Sequence, residues 1–289
     1  MAADPAAVIQ SLIAACLFAL GIQFLNLGLR HADSRIGTLI DIGASAAFYW
    51  LLSPLFLKLE YWLTPAALIF AAVGVFRPVL SANLALAGVH RLGPTLASAL
   101  TSTGPLFAAV FGVVLLGEAL TAPIILGTLA VVLGTMIQTG GKGAGRDWPL
   151  WAIALPLAAS CLRSLSHVLI RIGLAFAPEP LFAGLVAYTV SFLVAVTAEG
   201  RRSKKRVDWR SPGLAWFAVA GVTHGLAVWS MNAALQKAPV TIVVPLVSAA
   251  PVVTLLLGLV VFRRETITMR KGAMVALVFA GVALIAGSG

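Results

Sequence analysis

One stretch of this chain occurs twice, and the repetition limits the fold more than any other feature. Residues 83–118, NLALAGVHRLGPTLASALTSTGPLFAAVFGVVLLGE, return as residues 232–265, NAALQKAPVTIVVPLVSAAPVVTLLLGLVVFRRE. Asn83 answers to Asn232, Thr95 to Thr241, Ser102 to Ser248, Pro105 to Pro251, Gly112 to Gly258 and Glu118 to Glu265. The offset drifts by about three residues, as small insertions between old duplicates allow. Each copy is a long apolar run, interrupted by prolines and closed by a carboxylate, and reads as a duplicated membrane-crossing unit.

The rest of the chain agrees with a bilayer as its main solvent. Only 10% of its 289 residues are charged and 60% are hydrophobic, whereas a soluble domain carries roughly 25% charged residues. At about 20 apolar residues per spanning helix, ten spans fit: 5–29, 35–57, 62–89, 93–117, 119–139, 148–174, 180–199, 211–236, 239–262 and 267–288. All are expected to be helical, because lipid tolerates no open strand edge. The predicted class is therefore an all-α integral membrane protein. It is made of two five-span units, residues 1–141 and 142–289, joined by the Gly-rich linker GGKGAGRDW. That linker lacks the spacing of a phosphate loop.

The net charge of +10 is assigned to topology and not to nucleic acid. With both termini outside, fifteen lysines and arginines fall in inner loops, including the cluster Arg201–Arg210. Only Lys58, Arg171 and Lys237 fall in outer loops. Cys16 and Cys161 lie at matching places inside apolar runs and read as packing residues. Five crossings per unit is an odd number, so the two homologous halves must be inverted with respect to each other in the membrane. Inverted repeats that exchange conformations around a central site generate alternating access.

With those features in place the chain resembles the drug/metabolite transporter superfamily, in its ten-span EamA-type branch. The resemblance rests on the two five-span halves and on two runs from proline to carboxylate, Pro105 to Gly117-Glu118 and Pro251 to Arg264-Glu265. It rests also on a glycine in each final span, Gly134 and Gly281. Arg264 departs from the small residue usual before the second glutamate, which bears on local packing. The resemblance implies an exporter of amino acids and other metabolites in a bacterial inner membrane, most similar to exporters of aromatic amino acids. A central cavity should be lined by spans one, three, four and six and their second-half equivalents. The family pattern marks the repeat and implies no individual binding residue.

The candidate site residues come from polar chemistry at membrane depth, where such groups are costly and face a cavity or one another. Arg163 and His167 lie one turn apart in span six and could hold a substrate carboxylate; the alternative is a structural pair. Arg77, just before Pro78, marks a kinked cavity wall or gate, or a partner for Asp41. Asp41 could carry a coupling proton or pair with Arg77 or Arg163. His224 could titrate or simply pack. Trp229 and Tyr188, with Tyr49 and Trp50, could stack on an aromatic or cationic substrate or belong to the interfacial belts. Asn83 and Asn232 are expected to bond between helices. Ser102 and Ser248 could satisfy freed backbone groups or line the pathway, and Pro94, Pro105, Pro239, Pro245 and Pro251 should bend spans four and nine.

No metal site and no cofactor is expected, and ten spans suffice for a monomer to enclose a cavity. The partners expected are a small-molecule substrate and the lipid bilayer. The competing classes are a multidrug or cationic-compound exporter of the same superfamily, a channel, and an intramembrane enzyme. A channel would need rings of filter residues, and the sequence offers neither HExxH nor GxSxG for an enzyme.

Overall fold

In lipid the backbone must be satisfied within each span. The computed structural model, which describes residues 4–139, 149–200, 211–260 and 268–288, has only helices as regular elements among those residues. The first half runs α1 (Pro5–Gly28), α2 (Ser34–Phe56), α3 (Pro65–Val75), α4 (Ser81–Leu92), α5 (Pro94–Thr101), α6 (Gly104–Leu116) and α7 (Ala122–Thr139). The second runs α8 (Ala154–Phe176), α9 (Pro180–Gly200), α10 (Gly213–Lys237), α11 (Val240–Val247), α12 (Ala250–Val260) and α13 (Met269–Ala286). Helices α3 with α4, α5 with α6, and α11 with α12 are each one crossing in two pieces. Among the described residues, eight helical runs are long and apolar enough to cross a membrane. The shorter apolar helices Pro65–Val75 and Ala122–Ile137 mark the other two passes. The fold is ten crossings in two inverted five-helix repeats. The Gly-rich linker, the Arg201–Arg210 cluster and Glu265 lie outside the described residues.

The breaks have local causes. Span three does not run as one helix over 62–89. It starts at Pro65, ends at Leu92, and is interrupted at Arg77, whose φ of −135° and ψ of 136° are extended. A residue that precedes proline is pushed out of the helical region by the proline ring, so Pro78 places the break on Arg77. Ser191 of α9 repairs it, donating its hydroxyl to the carbonyls of Gly74 and Arg77. Spans four and nine are broken at duplicated positions. α6 begins at Gly104-Pro105 and α12 at Ala250-Pro251, with Ser102 and Ser248 at the preceding caps. Pro94 and Pro239 open helices instead of bending them, and Pro245 sits within α11. Each proline's effect follows from whether its missing N–H was needed.

The core lies between the halves, not within each. α1 packs along α10, α3 and α4 along α8, α2 along α9 and α10, and α7 along α13. Small residues let the backbones approach, as in other membrane bundles, and the contacts come in symmetric pairs. A Cβ on Gly28 of α1 would stand 2.4 Å from the ring of Phe217; one on Gly173 of α8 would stand 2.3 Å from the ring of Phe70. Ser45 of α2 donates to Gly221 O of α10 at 2.7 Å, and Ser191 of α9 donates to Gly74 O of α3 at 2.7 Å. Phe70 and Phe217 are fully buried. The duplicated gene is thus two interlocked halves related by a pseudo-twofold axis.

Candidate functional site

A cavity of about 510 Å³ lies between the halves. α8 supplies its polar wall with Ser160, Arg163, Ser164 and His167. These positions are spaced three, four and seven residues apart and so share one helix face. Arg77 enters at the interruption between α3 and α4. Span four contributes Thr101, Ser102 and Pro105 from either side of its break, and span nine contributes Ser248 and Pro251 from either side of its own. The remaining wall is largely apolar, with Phe18 and Ile22 of α1, Met231 of α10, and Val244 and Val247 of α11. Ala85 and Val89 of α4, Ser98 of α5 and Thr135 of α7 carry the cavity toward the α4–α5 end of the molecule.

The polar groups of this cavity are arranged for one sign of charge. Arg77 Nη1 lies 2.9 Å from His167 Nε2. A guanidinium only donates, so Nε2 accepts, which assigns the neutral ring's proton to Nδ1. His167 Nδ1 is buried with no partner. Arg163 has no hydrogen-bond or ion-pair partner among the described residues. The hydroxyls are largely committed to backbone: Ser160 donates to Thr101 O at 2.8 Å, Ser164 to Gly104 O at 2.7 Å, Ser102 to Ser98 O and Ser248 to Val244 O. Ser160 meets the carbonyl that Pro105 leaves free, whereas Ser102 and Ser248 bond within their own turns, to carbonyls that already accept their backbone N–H groups; both of those also line the cavity.

The opposite end is closed by a carboxylate. Gly117 ends α6 in the left-handed conformation (φ 66°), and its N–H and that of Glu118 return to Val113 O and Gly112 O. This left-handed ending turns Glu118 back across the helix. Its Oε1 accepts from Val240 N at 2.7 Å and its Oε2 from Thr241 N at 2.9 Å, capping the first turn of α11. Only glycine fits at position 112, where a Cβ would lie 2.7 Å from Glu118 Oε2 and 2.9 Å from Thr241 Cγ2. Arg171 Nε stands 3.7 Å from Glu118 Oε1, and its Nη1 donates to the carbonyls of Leu235 and Ala238. The sequence reading placed Arg171 in an outer loop. It lies instead on α8, its side chain 29% exposed, continuing the polar stripe of that helix.

The other proposed site residues are elsewhere. Asp41 does not pair with Arg77 or Arg163. Its Oδ1 lies 2.7 Å from His224 Nδ1, between α2 and α10. Neither residue lines the cavity; Phe18 stands between, its ring centroid 6.1 Å from that of His224. Trp229 packs edge-on against Phe56, and Tyr188 packs against Tyr49, whose hydroxyl donates to Gly225 O. Neither Trp229 nor Tyr188 is a cavity wall. Trp50 is half exposed and donates to Thr189. Asn232 does bond between helices, to Pro180 O at 3.3 Å, whereas Asn83 borders a smaller groove beside Arg35. The sequence reading missed Ser160, Ser164, Thr101 and Phe18. The helical spacing of hydroxyls around Arg163 and His167 was the available signal for the two serines. Among the described residues, no cluster of His, Cys, Asp and Glu could hold a metal.

Comparison with known proteins places this architecture. A family model described as EamA-like transporter family matches twice, over residues 5–139 and 150–287. A solved crystal structure superposes with a TM-score of 0.75 at 19% identity, over 96% of this chain and 95% of its own. That likeness is one of fold. No curated protein matches the chain in sequence.

Proposed function

Because the chain belongs to the EamA-like transporter family, within the drug/metabolite transporter superfamily, we propose that it is a secondary transporter exporting small carboxylate-bearing metabolites by alternating access. Amino acids, aromatic ones favoured, are the leading class. The membrane is a bacterial inner membrane, with both termini on the periplasmic face. The repeats are residues 1–141 and 142–289, and one molecule is the transporting unit. The observation that carries this reading is the amphipathic cavity between the halves, with Arg163 and Arg77 on one wall and Phe18, Met231 and Val247 on the other.

In this mechanism Arg163 takes the substrate carboxylate, with the bidentate geometry open to a guanidinium. Arg77, steadied by His167, adds a second positive charge. The apolar wall receives the side chain of the cargo. The state described is closed at the α6–α7 end by Glu118, Arg171 and the start of α11. With the positive-inside orientation, that end is periplasmic and the cavity reaches toward the cytoplasm. Reversal of the inverted halves would close the α4–α5 end and release the cargo outside. The exporter of cationic compounds fares worse, since the described lining holds two arginines and no carboxylate.

The test is flux in proteoliposomes loaded with labelled phenylalanine or tryptophan, with and without a pH gradient. Wild type is expected to release label faster than empty vesicles, and Arg163→Ala to lower that rate by at least about tenfold, the loss of one charge-assisted contact of roughly 1.5–3 kcal/mol. Release no faster than from empty vesicles would remove amino acids as cargo.

A further inference from the structure

The charge balance of the interior narrows the cargo further than the family does. Each described carboxylate side chain within or at the ends of the buried helices is already matched. Asp41 faces His224 at 2.7 Å, and Glu118 faces Arg171 and two backbone N–H groups. Arg77 has only a neutral imidazole acceptor, and Arg163 has no polar partner among the described residues. Both arginines line the same cavity, so its described wall carries two fixed positive charges and no negative one. Uncompensated charge at membrane depth is costly, and like charges beside each other add to that cost.

A zwitterion brings no net charge and leaves that imbalance unchanged. Its ammonium would share the cavity with two guanidiniums, where the described lining side chains offer hydroxyl oxygens and no carboxylate. A cation makes the imbalance worse. A net anion reduces it. The apolar half of the wall, Phe18, Ile22, Met231 and Val247, excludes a small inorganic anion as the best fit and favours an organic one. We propose that this cavity selects amphipathic organic acids of net negative charge, such as aromatic acids that lack a free ammonium, over the corresponding zwitterionic amino acids. The proposal rests on the transport reading above and, within its carboxylate-bearing metabolites, puts organic acids ahead of amino acids as the leading class. Movement of such a cargo carries charge, so an inside-negative potential drives it outward with no coupled ion.

Three probes of one ring size test it: phenethylamine, phenylalanine and N-acetylphenylalanine, a cation, a zwitterion and a monoanion. Efflux from proteoliposomes is measured at a potassium–valinomycin potential, alongside equilibrium binding to the purified protein in detergent. The expected order is anion over zwitterion over cation. The anion should lead the zwitterion by at least about tenfold, and its efflux should rise as the interior is made more negative. Arg163→Gln should bring the anion-to-zwitterion ratio below about twofold, while Arg163→Lys, which keeps the charge, should retain most of it. Zwitterion flux equal to or above that of the anion would overturn the proposal and leave the transporter reading standing. Anion-selective binding without flux of any probe would sustain the charge selectivity and remove the transport reading. Absence of both binding and flux would sink the two together.

Discussion

At the scale of single residues, the buried carboxylates Asp41 and Glu118 each have an assigned neighbour, whereas Arg163 has none among the described residues. Asp41 and His224 sit on α2 and α10, with side chains 17% and 14% exposed. Removing one partner of such a pair strands the other. His224→Ala is expected to lower stability by about 3 kcal/mol, and the Asp41→Asn, His224→Ala double variant to recover at least half of that. Thermal unfolding in detergent, read as a double-mutant cycle, checks it; additive losses would mean that the pair is not coupled. This partnership was not legible in the sequence. Asp41 and His224 are 183 residues apart, and only the docking of α2 on α10 brings them together. Arg163 and His167 were legible, because one helical turn separates two polar groups in an apolar run. Arg171 was not, because an arginine near the end of a span looks the same whether it faces a loop or folds inward onto Glu118.

At the scale of elements, glycine sets the spacing between helices of opposite halves. The paired sites Gly28–Phe217 and Gly173–Phe70 predict symmetric outcomes. Gly28→Ala and Gly173→Ala should each cost about 1–3 kcal/mol through overpacking against a buried ring. Phe70→Leu should recover part of the Gly173→Ala loss and none of the Gly28→Ala loss. Unfolding midpoints of the five variants decide the matter, and rescue of the wrong partner would contradict the packing described. The spans were readable from hydropathy because length and apolarity are local properties. Their interruptions were half readable. Pro78, Pro105 and Pro251 lie at breaks, while Pro94, Pro239 and Pro245 do not disturb the helix they accompany. What decides is whether the carbonyls and N–H groups around the ring find substitutes, and here the substitutes are hydroxyls from other helices, such as Ser160, Ser164 and Ser191.

At the scale of the whole molecule, the pseudo-twofold was visible in the repeat, but the state of the molecule was not. Symmetry would allow either end to be shut, and the closed end is identified by Glu118 on the first turn of α11. Glu118→Gln keeps the shape, replaces one of the two oxygens that accept from backbone N–H groups with an NH2 that cannot, and loses the ion pair to Arg171. In a background without Cys16 and Cys161, Thr241→Cys is buried (Thr241 is 0% exposed) and should resist a membrane-impermeant maleimide. Adding Glu118→Gln should raise its labelling rate by about tenfold or more, the effect of losing roughly 1.4 kcal/mol of closure. An unchanged rate would mean that the carboxylate is not what holds this end shut.

Arg77 combines two properties that proteins usually keep apart. Its guanidinium lines the cavity between the halves, and its own backbone is the point where the third crossing ceases to be helical, held by one serine hydroxyl from α9. Under the transport reading, a solute that pulls on that side chain pulls directly on the break in the helix. Sensing and yielding would then coincide in one amino acid, and the proposed cargo would act on the chain as torque.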